Sequence, residues 1–309
     1  MIATVTLNAA IDKTIEIDSF TPGSVNRVLQ SHMEPGGKGI NVSKVVKALG
    51  GSTITLGFVG GDSGKWIDER LKALEIETDF VQLNQETRTN IKIIDTAKQQ
   101  ITDINDQGKE VKEIWVEKLY DKVRFWAETS NVMVFSGSLP PNISSDIYEK
   151  LIGIAKAKGC KTILDADGQA LLDGAKASPY MVKPNIHELE NTFDVKLKDT
   201  RDIIKCCSFF LDQDVEIVVI SMGAEGALMI TKDGAWKTEK INVTVKNTVG
   251  AGDSMVGAFA YGIDKGYALV DILSLAAATA TVHVKQGTVF GQYPRIEQYK
   301  NRIKILEIG

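Results

Sequence analysis

A doubly wound α/β fold, with a mostly parallel sheet and helices on both faces, is predicted by this 309-residue sequence. Three observations carry the prediction. Short β-rich runs alternate with amphipathic helical stretches for most of the length. The residues directly after the β-rich runs are polar or glycine, and open α/β sheets bind ligands beyond the carboxyl ends of their strands. The length is one that α/β folds often hold in a single domain, so residues 1–309 are read as one domain.

Taken in order, strands are expected over Ile2–Leu7, Thr53–Phe58, Val132–Ser136, Thr162–Asp165, Tyr180–Lys183 and Ile217–Ser221. Helices are expected over Asn41–Leu49, Gly64–Leu74, Ser145–Lys158, Gln169–Ala177 and Thr200–Leu211. Four strand ends carry polar chemistry: Ser136-Gly137-Ser138, Asp165, Lys183-Pro184-Asn185 and Ser221-Met222-Gly223. Residues 12–33 and 87–113 break the alternation, because pieces such as Thr89–Ile94 and Gln100–Ile104 have no helix between them. They are expected to form a small β-sheet lid at the ligand edge, able to exclude water. The run Ala276–Ala280 predicts a closely packed helix.

Composition narrows the function classes. Hydrophobic content of 43% and charged content of 25% match a soluble globular chain. A net charge of −4 argues against a general grip on nucleic acid, so a phosphate site must be built locally. Cys160, Cys206 and Cys207 include an adjacent pair that makes a poor disulfide framework, and none has metal-ligand spacing. They are read as buried, reduced thiols of a cytoplasmic protein. The first residues lack a basic region and meet Asp12 and Lys13 too soon for a signal peptide. The apolar stretch from Leu269 to Val284 holds Asp271 and His283 and is shorter than the ~20 residues that span a bilayer, so no membrane role is expected.

The most informative stretch is Thr248-Val249-Gly250-Ala251-Gly252-Asp253-Ser254. Small residues lead into a helix start whose first amides lack intrahelical partners, which makes an anion site. Asp253 stands beside those amides, where it can accept a proton from an attacking hydroxyl. An ordinary turn capped by Asp253 also fits. A second Gly-rich helix entrance, Pro35-Gly36-Gly37-Lys38-Gly39-Ile40-Asn41-Val42, offers amides and Asn41 to hydroxyls and Lys38 to a phosphate, or is a flexible turn with a solvated lysine. Asn185 and Glu188, three apart at a helix start, can hold the water shell of Mg²⁺ or form a capping box, and both readings are compatible. Arg88 can clamp a phosphate from the lid.

Other chemistries lack their motifs. Gly60 to Trp66 has the wrong spacing for a P-loop, and no Gly-x-Gly-x-x-Gly opens the first helix. His32, His187 and His283 share no spacing and no catalytic triad is visible, so they receive no role.

Seven motifs in order resemble the ribokinase-like (PfkB) carbohydrate kinases over essentially the full length. They are Thr6-Leu7-Asn8 through Asp12, Gly36 to Val42, Thr87-Arg88, Ser136-Gly137-Ser138-Leu139-Pro140, Val182-Lys183-Pro184-Asn185 with Glu188, Ser221 to Ala227, and Val249 to Met255. Within that family the resemblance is to phosphosugar kinases, the fructose 1-phosphate kinases first; tagatose-6-phosphate kinases share most of the motifs. It implies ATP and Mg²⁺ as cofactors, transfer to the 6-hydroxyl of D-fructose 1-phosphate, and a homodimer formed through the β-lid. A sugar-phosphate sensor that binds without turnover is the non-enzyme alternative.

The resemblance also distributes roles. Asp253 is similar to the catalytic base, with Gly250, Ala251 and Gly252 as the anion hole. Asp12, Gly37, Asn41, Asn90, Ser136 and Gly137 line the sugar site, and Lys38 and Arg88 take the sugar phosphate. Lys183, Asn185, Ser221, Gly223, Glu225, Gly226 and Gly252 contact the nucleotide, while Glu188 and Asn185 organise Mg²⁺, Glu188 through water. Ala9 and Asp167 depart from the family pattern, where proline and serine are common, and both bear on pocket shape rather than on the base.

Overall fold

The computed structural model describes residues 1–308. Its main sheet follows from strands whose side chains alternate between two buried faces. Ile2, Val132, Val134, Ile163, Met181, Ile217 and Val219 enter one core. Their neighbours Ala3, Met133, Phe135, Leu164, Val182, Val218 and Ile220 enter the other. The period of two, with both faces apolar, requires helices on both sides. Helices Lys38–Ala48, Ala251–Lys265 and Leu269–Gln286 cover one face. Helices Glu113–Ala127, Ile147–Lys156, Gly168–Ala175 and Thr200–Asp212 cover the other.

The sheet is 11-stranded. From one edge it runs Ile305–Ile308, Gly234–Thr238, Ala227–Thr231, Ile217–Ser221, Met181–Val182, Lys161–Asp165, Val132–Ser136, Ile2–Thr6, Thr53–Gly60 and Glu77–Thr78, with Val81–Leu83 also paired to Thr53–Gly60. The strands from Ile217–Ser221 onward are parallel. The edge made by Ala227–Thr231, Gly234–Thr238 and Ile305–Ile308 is antiparallel, which the alternation reading does not anticipate. No helix among the described residues is long and apolar enough to cross a membrane.

A second, 4-stranded sheet has the order Val28–Gly36, Ala10–Ile17, Arg88–Asp95, Gln100–Ile104. Its chain spans residues 10–36 and 88–104, and residue 113 already opens a helix. The first strand pair is antiparallel and the middle pair parallel, which sets Asp12 opposite both Glu34 and Asn90.

Two local features set the site. Gly37, at φ 110°, turns the chain straight from a small-sheet strand into helix Lys38–Ala48, three residues earlier than expected. Residues 38 and 41 therefore share its first turn. That helix is pinned to the main sheet by buried hydroxyls, with Ser43 Oγ 2.8 Å from Thr4 Oγ1 and 2.9 Å from both Thr53 and Thr55 Oγ1. It lies close against Ala251–Lys265 because a Cβ at Gly257 would stand 2.6 Å from that of Val45. The close approach brings the two helix starts side by side.

Candidate active site

Helix Ala251–Lys265 begins at Gly250, whose left-handed φ of 86° suits a residue without a Cβ. The first-turn amides, those of Ala251 and Gly252 among them, open to the carboxyl edge of the sheet, as helix starts in this architecture do. Ala251 N–H donates a long bond, 3.3 Å, to the Thr248 carbonyl. Asp253 follows in the first turn and is only 8% exposed. Burial, and then the nearby Asp165 carboxylate, push its pKa up to about 6, against the Asn41 hydrogen bond and the charges of Lys38 and Lys183. Asn41 Nδ2 donates to Asp253 Oδ2 at 2.8 Å.

A buried charge cluster adjoins Asp253. Asp165, at the end of its strand, is 1% exposed and lies 3.2 Å from Lys183 Nζ and 3.6 Å from Lys38 Nζ. Although burial opposes it, the two ammonium groups and the Ser136 hydroxyl hold the Asp165 carboxyl below its usual range. Lys38 also lies 3.5 Å from Glu188 Oε1, and the Asp165 charge pulls its proton on more tightly than usual. Lys183 faces the start of helix Ala251–Lys265, since a Cβ on Gly252 would stand 3.4 Å from its Nζ.

On the small sheet, Asn90 Nδ2 donates to Asp12 Oδ1 at 2.9 Å. Asn90 Oδ1 is buried without a hydrogen-bond partner, so it is free to accept from a ligand hydroxyl. Gly36 makes room for Asp12, because a Cβ there would stand 2.1 Å from Asp12 Oδ2. Gly37 packs closely on Thr6, whose Cγ2 would lie 2.7 Å from an added Cβ. Arg88 is half-buried, and its Nε and Nη2 donate to the Asn8 carbonyl at 3.2 and 2.8 Å while Nη1 donates to that of Asp106.

Asn185 caps helix Ile186–Phe193 in a full capping box. Its Oδ1 accepts from Glu188 N–H and Glu188 Oε2 accepts from Asn185 N–H, both at 2.8 Å. No group of three or more His, Cys, Asp or Glu able to hold a metal exists among the described residues. Mg²⁺ bound with a nucleotide needs no such cage, since one or two carboxylates plus phosphate oxygens and waters suffice. Glu188, with Oε1 outside the capping box, fits that need.

The remaining predicted residues fall as follows. Ser136 is fully buried, its hydroxyl donating to Asp165 Oδ2 at 3.2 Å, so it meets the site through that carboxylate. Gly137 N–H donates to the Asp165 carbonyl, and its own carbonyl accepts from Tyr148. Ser221 is bridged to Asn185, which joins the ends of two neighbouring strands. Gly223 has φ 57° and Gly226 φ 86°, and a Cβ on Gly226 would stand 2.1 Å from Thr238 Oγ1. Glu225 is exposed and paired with Lys240 at 2.8 Å, outside the cluster.

Two residues at the site were given no role from sequence. Asp165 was visible as a polar strand end, but its partners come from other elements. His283 donates from Nε2 to the Val249 carbonyl at 2.7 Å, and burial lowers its pKa. A carbonyl can only accept, so Nε2 carries the hydrogen.

This geometry has counterparts among known proteins. The model of the pfkB family carbohydrate kinases matches residues 5–292. A 1-phosphofructokinase of Borreliella burgdorferi is 34% identical over 290 residues, 94% of this chain and 93% of its own. A tagatose-6-phosphate kinase of Staphylococcus epidermidis is 31% identical over the whole of both chains. Among solved structures, phosphofructokinase-2 from Escherichia coli in complex with substrates and products superposes with a TM-score of 0.90 at 26% identity, covering 97% of this chain and 98% of that one. A carboxylate beside an open helix start, carried on this sheet order and matched by the family model over most of the length, makes the chain a member of the pfkB family of carbohydrate kinases, phosphotransferases whose acceptor is a sugar hydroxyl.

Proposed function

We propose that the protein transfers the γ-phosphoryl group of ATP to the 6-hydroxyl of D-fructose 1-phosphate, giving fructose 1,6-bisphosphate and ADP. The observation that carries this reading is the meeting of Asp253, the first-turn amides and Asn41 at one point, with the Asp12–Asn90 pair on the facing sheet. Its 1-phosphofructokinase relatives, at 33–35% identity, support the choice of sugar.

Asp12, Gly37, Asn41 and Asn90 hold the sugar, with Asn90 Oδ1 accepting from a hydroxyl. Arg88 and Lys38 meet its phosphate. Asp253 takes the proton of the 6-hydroxyl as the new O–P bond forms and the bond to the β-phosphate oxygen breaks. The amides of Gly250, Ala251 and Gly252 stabilise charge on the equatorial oxygens, and Lys183 adds a fixed positive charge beside them. Lys183, Asn185, Ser221, Gly223 and Gly226 line the nucleotide side. Glu188, oriented by Asn185, would hold the water shell of Mg²⁺, which when bound neutralises the nucleotide phosphates.

The small sheet acts as a lid in this reading, and its outer face as a homodimer contact. Register sets Lys13, Met33, Ile91 and Ile104 in one row on the face opposite Asp12 and Asn90. Met33 and Ile104 are 42% and 52% exposed, which supports a second copy covering them. Cys160 and Cys207 are buried as expected, whereas Cys206 is only half-buried, and three free cysteines fit a reducing cytoplasm.

The full-length match to a tagatose-6-phosphate kinase supports that activity as the second reading. Coupled assays with fructose 1-phosphate, fructose 6-phosphate and tagatose 6-phosphate separate the two. Fructose 1-phosphate should give the highest kcat/KM; a higher value for tagatose 6-phosphate would reverse the choice, and binding without ADP release would make the protein a sensor.

A further inference from the structure

Lys44 is a buried cation that no part of the transfer reaction described above employs. It lies one turn beyond Asn41 on helix Lys38–Ala48, its side chain 12% exposed. Its Nζ donates to the Pro35 carbonyl and lies 3.4 Å from Asn41 Oδ1 and 3.7 Å from Glu34 Oε2. The carboxylates of Glu34, Asp12 and Asp253 face it, and burial lowers its pKa against their pull. Asn41 therefore stands between a cation at its oxygen and a carboxylate at its nitrogen.

That arrangement fixes an orientation. An amide can be turned end for end with little change of shape, but an ammonium group only donates and an ionised carboxylate only accepts. Each end of Asn41 is thus committed by a different neighbour while Asp253 is ionised. After the base takes a proton, Asp253 can donate, and the amide is then free to turn and accept from it. A turned amide would hold the proton on the base and slow its return. Lys44 opposes the turn, because it would set the NH₂ group against an ammonium.

We propose that Lys44 is a positioning residue of the phosphoryl transfer, a donor-only lock that keeps the Asn41 NH₂ group on Asp253 through the whole cycle and ties it to the end of strand Val28–Gly36. This inference rests on the reading of Asp253 as the base. It separates the chemistry of residue 44 from its bulk: Arg is donor-only, whereas Gln is of similar length but also carries an acceptor and tolerates the turned amide.

The test measures kcat and KM for fructose 1-phosphate in Lys44→Gln, Lys44→Arg, Asn41→Ala and Asn41→Ala with Lys44→Gln, with Asp253→Asn as control. Lys44→Gln should lower kcat about tenfold with KM within threefold, an effect expected of a misplaced catalytic group. Lys44→Arg should stay within threefold of the parent, and Lys44→Gln should change kcat less than twofold once Asn41 is Ala. The lock is overturned if Lys44→Gln has the same effect with and without Asn41, if Arg loses as much as Gln, or if Gln leaves kcat intact while Asp253→Asn abolishes it. Retention of kcat in Asp253→Asn would instead remove the base reading itself.

Discussion

Replacing Asp253 by Asn should cost the protein its activity and make it more stable at neutral to alkaline pH. The carboxyl pKa rises from its ordinary 3.8 to about 6 on folding. Below pH 3.8 the group is neutral in both states and costs nothing. Between pH 3.8 and about 6 the carboxyl ionises in the unfolded chain but not in the folded one, so the penalty builds across that window and above it is complete, about 3 kcal/mol for a rise of that size. Asn is neutral throughout and keeps an oxygen for the Asn41 NH₂ group, but its own NH₂ group needs a new partner, so the expected net gain at pH 8 is about 1–3 kcal/mol. Urea unfolding of both proteins at pH 8 and pH 4.5 measures the difference. The gain should shrink toward zero at the lower pH, and kcat should be down at least ~10²-fold at the higher one. An Asn variant that is equally or less stable at pH 8, or a gain independent of pH, would refute the electrostatic account of this carboxylate.

Other outcomes follow from the same geometry. In the parent enzyme kcat/KM should fall about tenfold per pH unit below about pH 6, as Asp253 of the free enzyme becomes protonated and cannot accept the hydroxyl proton; a flat kcat/KM between pH 5 and 7 would contradict it. Asp165→Ala leaves the 3%-exposed Lys183 without its carboxylate. Unfolding free energy should drop by about 3–5 kcal/mol, and a loss under about 1 kcal/mol would show that the pair is not holding the strand ends. Gly36→Ala drives a methyl group into Asp12, so KM for the phosphosugar should rise about tenfold or more with a smaller effect on kcat; unchanged KM would remove Asp12 from sugar binding.

The central parallel strands were readable because both of their faces are buried and their ends are marked by polar residues. Val132–Ser136 and Ile217–Ser221 stand where the apolar runs put them. Met181–Val182 is shorter than expected, since Pro184 has no N–H to extend the ladder. The antiparallel edge was not readable. Ala227–Thr231 follows so closely on Ile217–Ser221 that no α-helix separates them, and Ile305–Ile308 finds its partner in a strand far earlier in the chain. At the site, residue types and local spacing revealed the Gly-rich helix starts and the Asn185–Glu188 cap. The role of Asp165 was hidden because it depends on Lys38 and Lys183, which only the folded sheet brings to it. The partnership of Lys44, Asn41 and Asp253 depends likewise on two helices meeting across Gly257.

Every chain crossing between the two sheets, at residues 7–9, 37, 84–87 and 105–112, lies at one end of the small sheet. The small sheet is therefore a cantilever with its fulcrum beside Asp12 and Asn90. Strand Ala10–Ile17 carries the chain outward from there, and at about 3.3 Å per residue its far end lies about 16 Å beyond Asp12. A tilt that sweeps the tip through several ångströms shifts Asp12 and Asn90 by only a fraction of that, so the free end can move without breaking the hydrogen bond between them.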